Sequence, residues 1–335
     1  MQNPLISILI PFKNTAVFLP ECLDSIINQS YTNWELLIVD DYSSDSSFEI
    51  VNAYTEKDKR IQLFKNNGKG IINALQLAFS KSSGNYVTRM DSDDIMHHNK
   101  LELMLNDLHV NGRKTIALGL VKYFSKNGIG DGYTKYESWL NSLTKLGDNY
   151  SEIYKECVIP SPCWMIHKDD LVQCGAFNSN IYPEDYDLAF RFYKHNIQPI
   201  ANQNVLHYWR DYSTRASRTD EHYTENYFID LKVKYFLELD YNQSRPLTVW
   251  GAGSKGKQVA KLLKQHNIPF IWVCDNPKKI GKHIYDIELY SFNHLKQLNH
   301  PQVIVTVANN EAQQEIIMYF KTQDMQAMTD YFFFC

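Results

Sequence analysis

The chain alternates short apolar runs with segments whose apolar residues recur at helical spacing. Residues 5–10 (LISILI) and 36–39 (LLIV) are continuous apolar runs. Between them, the apolar residues of 18–29 recur three or four positions apart, which predicts a helix with one buried face. Strand, helix and strand in this order predict a βαβ unit, and strands that are apolar throughout indicate a sheet buried on both faces.

The alternation continues toward the middle of the chain. Helices are predicted over 50–57, 71–81, 99–111 and 183–196, and strands over 61–64, 86–90 and 115–123. From 128 to 162 the pattern weakens and glycine recurs, so we predict loops and short helices that cover the site. Polar residues follow the predicted strands directly, where open α/β sheets place their ligands.

A second α/β pattern follows a predicted long helix over 219–240 and a polar segment over 242–246. Its predicted elements are strands at 247–250, 270–274 and 303–307 and helices at 257–266 and 311–321. We therefore predict a first domain over 1–218, a helical linker over 219–245 and a small Rossmann-like domain over 246–335.

Composition narrows the class of protein. The chain has 335 residues, 44% of them hydrophobic, and a net charge of −4, which disfavours a nucleic-acid-binding protein and a disordered one. Its six cysteines form no Cys-x-x-Cys pair, which is typical of free thiols in a reducing cytoplasm. The first residues lack a positively charged region, and no apolar stretch reaches the length of a membrane span. We expect a cytoplasmic protein that binds no nucleic acid.

The most informative segment is the acidic turn Asp91-Ser92-Asp93-Asp94. Three carboxylates in four residues repel one another, and a cation would relieve this repulsion. Mg²⁺ and Mn²⁺ bind through few carboxylates together with diphosphate oxygens. From the residues alone, a solvated acidic turn or a cap for the helix at 99–111 explains the segment equally well.

Two further acidic pairs stand at predicted element ends. Asp40-Asp41 follows the strand at 36–39, where a carboxylate either accepts a hydrogen bond from a nucleotide base or caps the next helix with the residues 43–47. Glu184-Asp185 begins a predicted helix. A carboxylate there either takes a proton from an acceptor hydroxyl or stabilises the helix dipole.

Four stretches together resemble the inverting family 2 glycosyltransferases of the GT-A fold, over roughly residues 4–217. They are ISILIPFKN, SIINQSYTNWELLIVDD, NNGKGIINALQLAFSKSSGNYVTRMDSDD and GAFNSNIYPEDYDLAFR. The resemblance implies a Rossmann-like mixed α/β sheet and an enzyme that uses Mn²⁺ or Mg²⁺. It also implies transfer of a hexosyl or hexosaminyl group from a nucleotide sugar, a UDP-sugar by expectation, to a glycan or lipid-linked acceptor in cell-surface polysaccharide synthesis.

The resemblance also assigns roles to individual positions. It places donor contacts at Pro11, Phe12, Asn14, Asp41, Asn67, Lys69, Gly70, Arg89, Asp91, Ser92 and Arg210. It places the metal at Asp93, shared with Asp91, the catalytic base at Asp185, and acceptor contacts at Trp164 and Glu184. Asp94 is expected to be a structural cap. A non-catalytic scaffold would not need to keep these acids.

Three departures from the family pattern affect these expectations. Tyr42 stands where the family often has Gly, and residues 71–74 read IINA where many members have small residues and an Arg. Asp211 and Tyr212 follow Arg210 where the family often has His. His207 is therefore either a third metal contact or an ordinary core histidine.

The C-terminal pattern carries a glycine-rich motif of its own. Gly251, Gly253 and Gly256 join a predicted strand to a helix, and Asp275 ends the next strand. This is the context of dinucleotide-binding loops, so one alternative is an NAD(P)-binding oxidoreductase or a nucleotide-sensing protein. The other is a structural, acceptor-positioning or assembly role. The apolar segment 331–334 suits packing or a homo-oligomer, and a lipid-linked acceptor suits peripheral association with the inner face of a membrane.

Overall fold

A computed structural model describes residues 3–215, 218 and 228–335. The chain divides into two compact units. The first comprises Met1–Tyr150 and Val158–His222, and the second comprises Ser151–Cys157 and Tyr223–Cys335. No helix in the described ranges combines the length and apolarity that a membrane crossing requires.

The first unit is built on a mixed sheet. Its strands are β1 (Ile6–Phe12), β2 (Trp34–Asp40), β3 (Ile61–Lys65), β4 (Tyr86–Arg89), β5 (Ile95–Met96), β6 (Thr115–Phe124), β7 (Trp164–His167) and β8 (Gln198–Arg210). Among the described residues the strand order is β3-β2-β1-β4-β7-β6-β8-β5. Strands β1 to β4 run parallel, and β7 is antiparallel to both of its neighbours. The predicted mixed α/β sheet is confirmed.

Helices cover this sheet. They are α1 (Leu19–Ile27), α2 (Ser47–Lys57), α3 (Gly70–Lys81), α4 (Lys100–Asn111), α5 (Asp131–Leu146), α6 (Lys168–Gln173) and α7 (Glu184–Lys194), with a 3-10 turn at Asn149–Glu152. Every residue of β1 and β2 is buried, as their apolar runs predict. Fully buried side chains such as Ile8 and Ile38 each contribute about 1.5–3 kcal/mol by leaving water.

The segment predicted as loops and short helices, 128–162, contains a helix of 16 residues, α5. The prediction was wrong because glycines at the ends of this helix were taken as loop signals. Gly130 directly precedes α5, and Gly147 ends it in the left-handed conformation with φ of 67°. Tyr136 and Trp139 of α5 pack against the core, so the helix is held by an apolar face.

The second unit is a smaller Rossmann-like sheet. Its strands are β9 (Leu247–Trp250), β10 (Ile271–Cys274), β11 (His283–Ile284), β12 (Ile287–Ser291), β13 (Gln302–Val305) and β14 (Tyr331–Phe333). Its helices are α8 (Ile229–Leu239), α9 (Ser254–Gln265) and α10 (Asn310–Thr322), with a 3-10 helix at Phe292–Gln297. The order β11-β12-β10-β9-β13-β14 reverses at β9, as in doubly wound folds.

The predicted helical linker, 219–245, is only partly described by the structure. Residues 219–227 lie outside the described part of the chain, and α8 begins at Ile229. Ile229, Leu231, Val233 and Phe236 of α8 are buried, and the helix belongs to the second compact unit. The domain boundaries themselves stay a prediction.

Candidate active site

The acidic turn lies at the carboxyl end of β4, and its residues alternate in exposure. Asp91 and Asp93 are half-buried, whereas Ser92 and Asp94 are buried. Burial, together with the carboxylates of Asp94 and Asp91, raises the pKa of Asp93 to about 7. Asp91 and Asp93 are therefore the two carboxylates of the turn that a ligand can reach, and their mutual repulsion suits a cation.

Asp94 has a structural role. The backbone N–H of Arg210 donates to Asp94 Oδ1 at 2.7 Å, and His207 Nε2 contacts Asp94 Oδ2 at 2.9 Å. Asp94 thus ties the acidic turn to β8. The expectation of a helix cap is wrong in its detail, because α4 begins at Lys100 with Asn99 before it and has no side-chain cap.

His207 fits the core alternative. It is fully buried, and burial with the Lys100 ammonium as the next cause lowers its pKa well below the usual range. Its ring contacts the carboxylate of Asp94, the buried acid of the turn. The described residues contain no group of three His, Cys, Asp or Glu side chains that could hold a metal ion. A cation site at this turn would therefore need ligand oxygens from the substrate.

Arg89 joins the acidic turn to α7. Its Nη2 donates to Asp91 Oδ1 at 3.3 Å, and its Nη1 donates to Glu184 Oε1 at 2.8 Å. The side chain is only 4% exposed, and its Nε has no hydrogen-bond partner among the described residues. Residues that are far apart in the sequence therefore meet at one buried guanidinium. Its contacts are with these two acids, and its expected contact with the donor stays a prediction.

Glu184 and Asp185 form the first turn of α7. Burial and then the Glu184 carboxylate raise the pKa of Asp185, while Arg89 opposes the increase. Glu184 Oε2 is buried and makes no hydrogen bond to a described residue. An acid at a helix start stabilises the helix dipole, and one with a raised pKa also accepts a proton near neutral pH. Both sequence alternatives are compatible with this position.

Asp41 organises three loops at the carboxyl edge of the sheet. Its Oδ1 accepts from Asn66 Nδ2 at 2.7 Å and from Gly70 N at 2.9 Å, and Lys13 Nζ lies 3.7 Å from Oδ2. Asp41 therefore caps α3. The start of α2 uses Asp45 instead, whose Oδ1 accepts from Ser47 N at 3.0 Å.

Sequence reasoning chose Asn67 in this loop and missed Asn66. Asn67 is exposed, while Asn66 is buried against Asp41. The position of Asn66 could have indicated its role, because Asn66 directly follows β3 just as Asp41 directly follows β2. Lys69 and Gly70 are exposed at the start of α3, where a ligand can reach them.

The loops after β1 and β2 are joined by Asn14. Its Oδ1 accepts from Ser44 N at 2.7 Å, and its own N–H donates to Ser43 Oγ at 3.1 Å. Asn14 and Tyr42 both have positive φ, at 53° and 60°. Tyr42 thus adopts the left-handed conformation that favours Gly, with its side chain exposed. The departure from Gly at this position keeps the turn and adds a ring to its surface.

Four predicted contact residues have buried side chains. Pro11 and Phe12 belong to β1, and Phe12 is part of the hydrophobic core. Pro11 and Phe12 are both buried because β1 is covered on both faces of the sheet. Ser92 Oγ accepts from Thr15 Oγ1 at 3.0 Å, and Trp164 of β7 packs edge-on against Phe192 of α7. Their expected contacts with donor or acceptor stay predictions.

The end of β8 reaches the acidic turn. Arg210 Nε donates to the backbone oxygen of Asp93 at 2.7 Å, and its Nη2 contacts Glu21. The expected diphosphate contact is thus an arginine whose guanidinium meets protein oxygens. Tyr212, which sequence reasoning noted only as a departure, donates its hydroxyl to Asp93 Oδ2 at 2.9 Å. Burial raises the pKa of both Asp93 and Asp94, and the positive charge of Arg215 opposes this increase.

The glycine-rich loop of the second unit is explained by packing. A Cβ on Gly256 would lie 2.0 Å from the Gly251 carbonyl oxygen, and one on Gly251 would lie 2.5 Å from Thr306 Oγ1. Gly251 also has a φ of 122°. Lys279 Nζ donates to the Ala252 carbonyl at 2.7 Å. A Cβ on Gly253 would meet open space, and Asp275 is exposed.

Two family models match the chain. The model described as Glycosyl transferase family 2 matches residues 7–175, half of the chain. This chain belongs to glycosyltransferase family 2. A model described as C2185-like, N-terminal, matches residues 243–323 of the second unit. These matches confirm the expected family and give no support to an NAD(P)-binding or oxidoreductase alternative.

Similar sequences are also glycosyltransferases. An uncharacterized glycosyltransferase of Rickettsia bellii is 30% identical over 185 residues, which cover 55% of this chain and 25% of that protein. Glycosyltransferase GlyG of Streptococcus pneumoniae is 34% identical over 128 residues, 38% of this chain and 42% of GlyG. The chain thus spans between a quarter and about two fifths of the length of these two relatives.

Solved structures share the fold. S. aureus TarS 1-349 in complex with UDP-GlcNAc has a TM-score of 0.52 at 18% identity, covering 78% of this chain and 72% of that chain. Mannosyltransferase PcManGT from Pyrobaculum calidifontis, in complex with GDP-Man and Mn²⁺, has a TM-score of 0.52 at 16% identity, covering 77% and 68%. The expected GT-A architecture of a glycosyltransferase is confirmed.

Proposed function

We propose that the first unit transfers a glycosyl group from a nucleotide sugar to an acceptor hydroxyl, with inversion at the anomeric carbon. The observation that carries this proposal is the contact of Arg89 with both Asp91 and Glu184. It brings the acidic turn, where a donor diphosphate would bind, beside the helix start that holds Asp185. Membership of glycosyltransferase family 2 supports the same reaction.

Asp91 and Asp93 would hold Mn²⁺ or Mg²⁺. Their donor set fits such a cation, because hard divalent ions bind one or two carboxylates and take their remaining ligands from phosphates and water. The raised pKa of Asp93 also supports a cation at this position, because a nearby positive charge stabilises crowded carboxylates. When bound, the cation would offset negative charge on the leaving nucleoside diphosphate. The structural relative PcManGT is described with Mn²⁺.

The nucleotide would bind over the loops that follow β1, β2 and β3. Asp41 Oδ1 is committed to Asn66 and Gly70, so Oδ2 is the oxygen that would accept from the N–H of a base. The Lys13 ammonium lies 3.7 Å from Oδ2, so it would have to move away or share this oxygen with the base. We propose a UDP-sugar with a hexosyl or hexosaminyl group. The two structural relatives are described with UDP-GlcNAc and with GDP-Man, so the base is the first quantity to test.

Asp185 would act as the base. It would take the proton of the acceptor hydroxyl as that oxygen bonds to the anomeric carbon. The bond between the anomeric carbon and the donor phosphate oxygen breaks in the same step, and its electron pair leaves with the nucleoside diphosphate. One displacement from the opposite face inverts the configuration, and no glycosyl–enzyme intermediate forms. Glu184, held by Arg89, would contact hydroxyls of the acceptor or the donor sugar.

The acceptor is proposed from the family and not from a contact in the structure. We propose a glycan or a lipid-linked acceptor in cell-surface polysaccharide synthesis, reached from the cytoplasmic face of the membrane. Such an acceptor would bring the protein to that membrane surface as a peripheral protein. The second unit would then position the acceptor or support assembly.

A panel of nucleotide sugars tests the proposal. We expect one UDP-sugar to raise the melting temperature more than GDP-mannose does, because a ligand that binds only the folded state stabilises it. The increase should require Mn²⁺ or Mg²⁺, and the same donor should release nucleoside diphosphate slowly when water is the acceptor. A chain that shows neither a cation-dependent shift nor diphosphate release with any donor would contradict the proposed function.

A further inference from the structure

The tyrosine that follows β8 contacts the residue proposed to hold the cation. The Tyr212 hydroxyl donates to Asp93 Oδ2 at 2.9 Å. The other carboxylate oxygen of Asp93 makes no hydrogen bond within the described ranges 3–215, 218 and 228–335. The hydroxyl thus occupies one oxygen of the carboxylate and leaves the other available.

Asp93 is held at its backbone as well as at its side chain. Arg210 Nε donates to the Asp93 carbonyl oxygen at 2.7 Å, two residues before Tyr212. The Arg210 N–H meanwhile donates to Asp94 Oδ1 at 2.7 Å. Three hydrogen bonds from residues 210–212 therefore reach two neighbouring residues of the acidic turn. This arrangement fixes both the position and the rotation of the Asp93 carboxylate.

Packing fixes the direction of the Tyr212 hydroxyl. The Tyr212 ring lies 4.6 Å from the Phe18 ring, centroid to centroid, just before α1. The Arg210 guanidinium lies 4.9 Å from the same Phe18 ring and 4.5 Å from that of Phe124. Phe18 therefore supports both residues that contact Asp93. A hydroxyl on a supported ring holds its partner better than one on a free side chain, because less side-chain entropy is lost.

We propose that Tyr212 is a positioning residue for the cation site. By holding Asp93 Oδ2, it turns the other oxygen toward the place where the cation and the donor diphosphate would meet. The inference rests on the proposed function, because it assumes that Asp93 binds a cation. Partners that orient metal ligands typically contribute 10–100-fold to metal affinity.

The test compares the purified full chain with two variants that lose the same chemical group. Tyr212→Phe removes the hydroxyl that reaches Asp93 and keeps the ring on Phe18. Tyr54→Phe is the matched control, because the Tyr54 hydroxyl donates to Asp24 Oδ1 at 2.8 Å, a hydrogen bond of the same kind between α2 and α1. Free Mn²⁺ is followed by electron paramagnetic resonance during titration with Mn²⁺ alone and with Mn²⁺ and UDP. Thermal melting checks that both variants are folded.

We expect Tyr212→Phe to weaken Mn²⁺ binding by about tenfold and Tyr54→Phe to change it less than twofold. The Mn²⁺ concentration for half-maximal donor hydrolysis should rise by the same factor, while the rate at saturating Mn²⁺ stays within about threefold. This separation distinguishes orientation of a ligand from a general loss of structure, which would lower the saturated rate as well.

Other results overturn the inference in distinct ways. Mn²⁺ binding by Tyr212→Phe that equals the wild-type value removes the positioning role and leaves the proposed function intact. Equal weakening in both tyrosine variants also removes it, because the effect would then not depend on Asp93. A wild-type chain that releases nucleoside diphosphate without binding Mn²⁺ overturns the inference and the metal dependence together, but not glycosyl transfer.

Discussion

The two units each place a loop at the carboxyl end of a central parallel strand, yet the loops differ in what they leave for a ligand. After β4, Asp91 and Asp93 remain half-buried and crowded, with carboxylate oxygens that the fold does not fully occupy. After β9, the glycines are needed where helix α9 meets the strand, and Lys279 closes on the Ala252 carbonyl. Polar residues at a strand end therefore indicate a candidate site only where the fold leaves some of their hydrogen-bonding atoms available to a ligand.

The glycine-rich motif and the acidic motif also differ in how far packing explains them. The glycine spacing of 251–256 is satisfied by close backbone packing, whatever the unit binds. The Asp91 and Asp93 side chains also have partners in the fold, Arg89 and Tyr212, but unlike Ser92 and Asp94 they stay half-buried. Two crowded carboxylates that stay partly exposed are a better indicator of function than glycines that close packing requires.

The largest expected effect is at the proposed base. Asp185→Asn should lower transfer by about 10²–10⁴-fold, because general base catalysis contributes that much. Donor binding, measured by calorimetry with Mn²⁺ present, should stay within about threefold of wild type if Asp185 acts only on the proton. Asp169→Asn, in the first turn of α6, is the control for loss of a helix-dipole charge. Equal losses in the two variants would contradict the base assignment.

A pair of aspartates tests the contrast between the two loops directly. Asp93→Asn should lower cation-dependent donor hydrolysis by about 10–100-fold, because it removes the negative charge of a proposed cation ligand. Asp275→Asn, at the end of β10 in the second unit, should leave hydrolysis within about twofold, since surface substitutions away from a site have small effects. A larger loss for Asp275→Asn would show that the second unit takes part in the reaction.

The pH profile follows from the raised pKa of Asp185. Burial and the Glu184 carboxylate raise this pKa to about 7, and a base works only when it is deprotonated. The rate at saturating donor should therefore fall as pH decreases through about 7, up to tenfold for each further pH unit. Glu184→Gln removes the neighbouring negative charge and should move this acid limb to lower pH. A rate that stays constant down to pH 5 would contradict the assignment.

The smallest effects concern the stability of the second unit. Gly256→Ala should destabilise it by about 1–3 kcal/mol, because the new Cβ would lie 2.0 Å from a carbonyl oxygen and α9 must shift. Gly253→Ala meets open space and should cost below about 1 kcal/mol, mainly through its place before the helix. Denaturant unfolding of both variants measures the difference. A larger loss for Gly253→Ala would show that packing does not explain the motif.

Much of the fold was predictable because its signals are local. The apolar runs of β1 and β2 and the helical spacing between them are set by neighbouring residues, so the first βαβ unit follows from the sequence. The helix α5 was missed because glycines at its two ends resemble loop signals. The strand β8 was missed too, and with it the contacts that Arg210 and Tyr212 make to Asp93.

The sequence predicts which residue types form the site, but it is less informative about the directions in which their side chains point. Residues 91–94 all read as acidic-turn residues, yet Asp91 and Asp93 are accessible while Ser92 and Asp94 are buried. The prediction of Asn67 is likewise off by one position, because the buried residue is its neighbour Asn66. Side-chain direction depends on the twist of the sheet and on partners far away in the chain, which local sequence does not encode.

The configuration of the first-formed product tests the central claim most directly. With the donor identified from the panel, proton NMR during the first turnovers reads the anomeric configuration of the released or transferred sugar. A single displacement at the site formed by Asp91, Asp93 and Asp185 predicts inversion in the wild type and no detectable product from Asp185→Asn. Retention of configuration, or product from Asp185→Asn at the wild-type rate, would contradict the account.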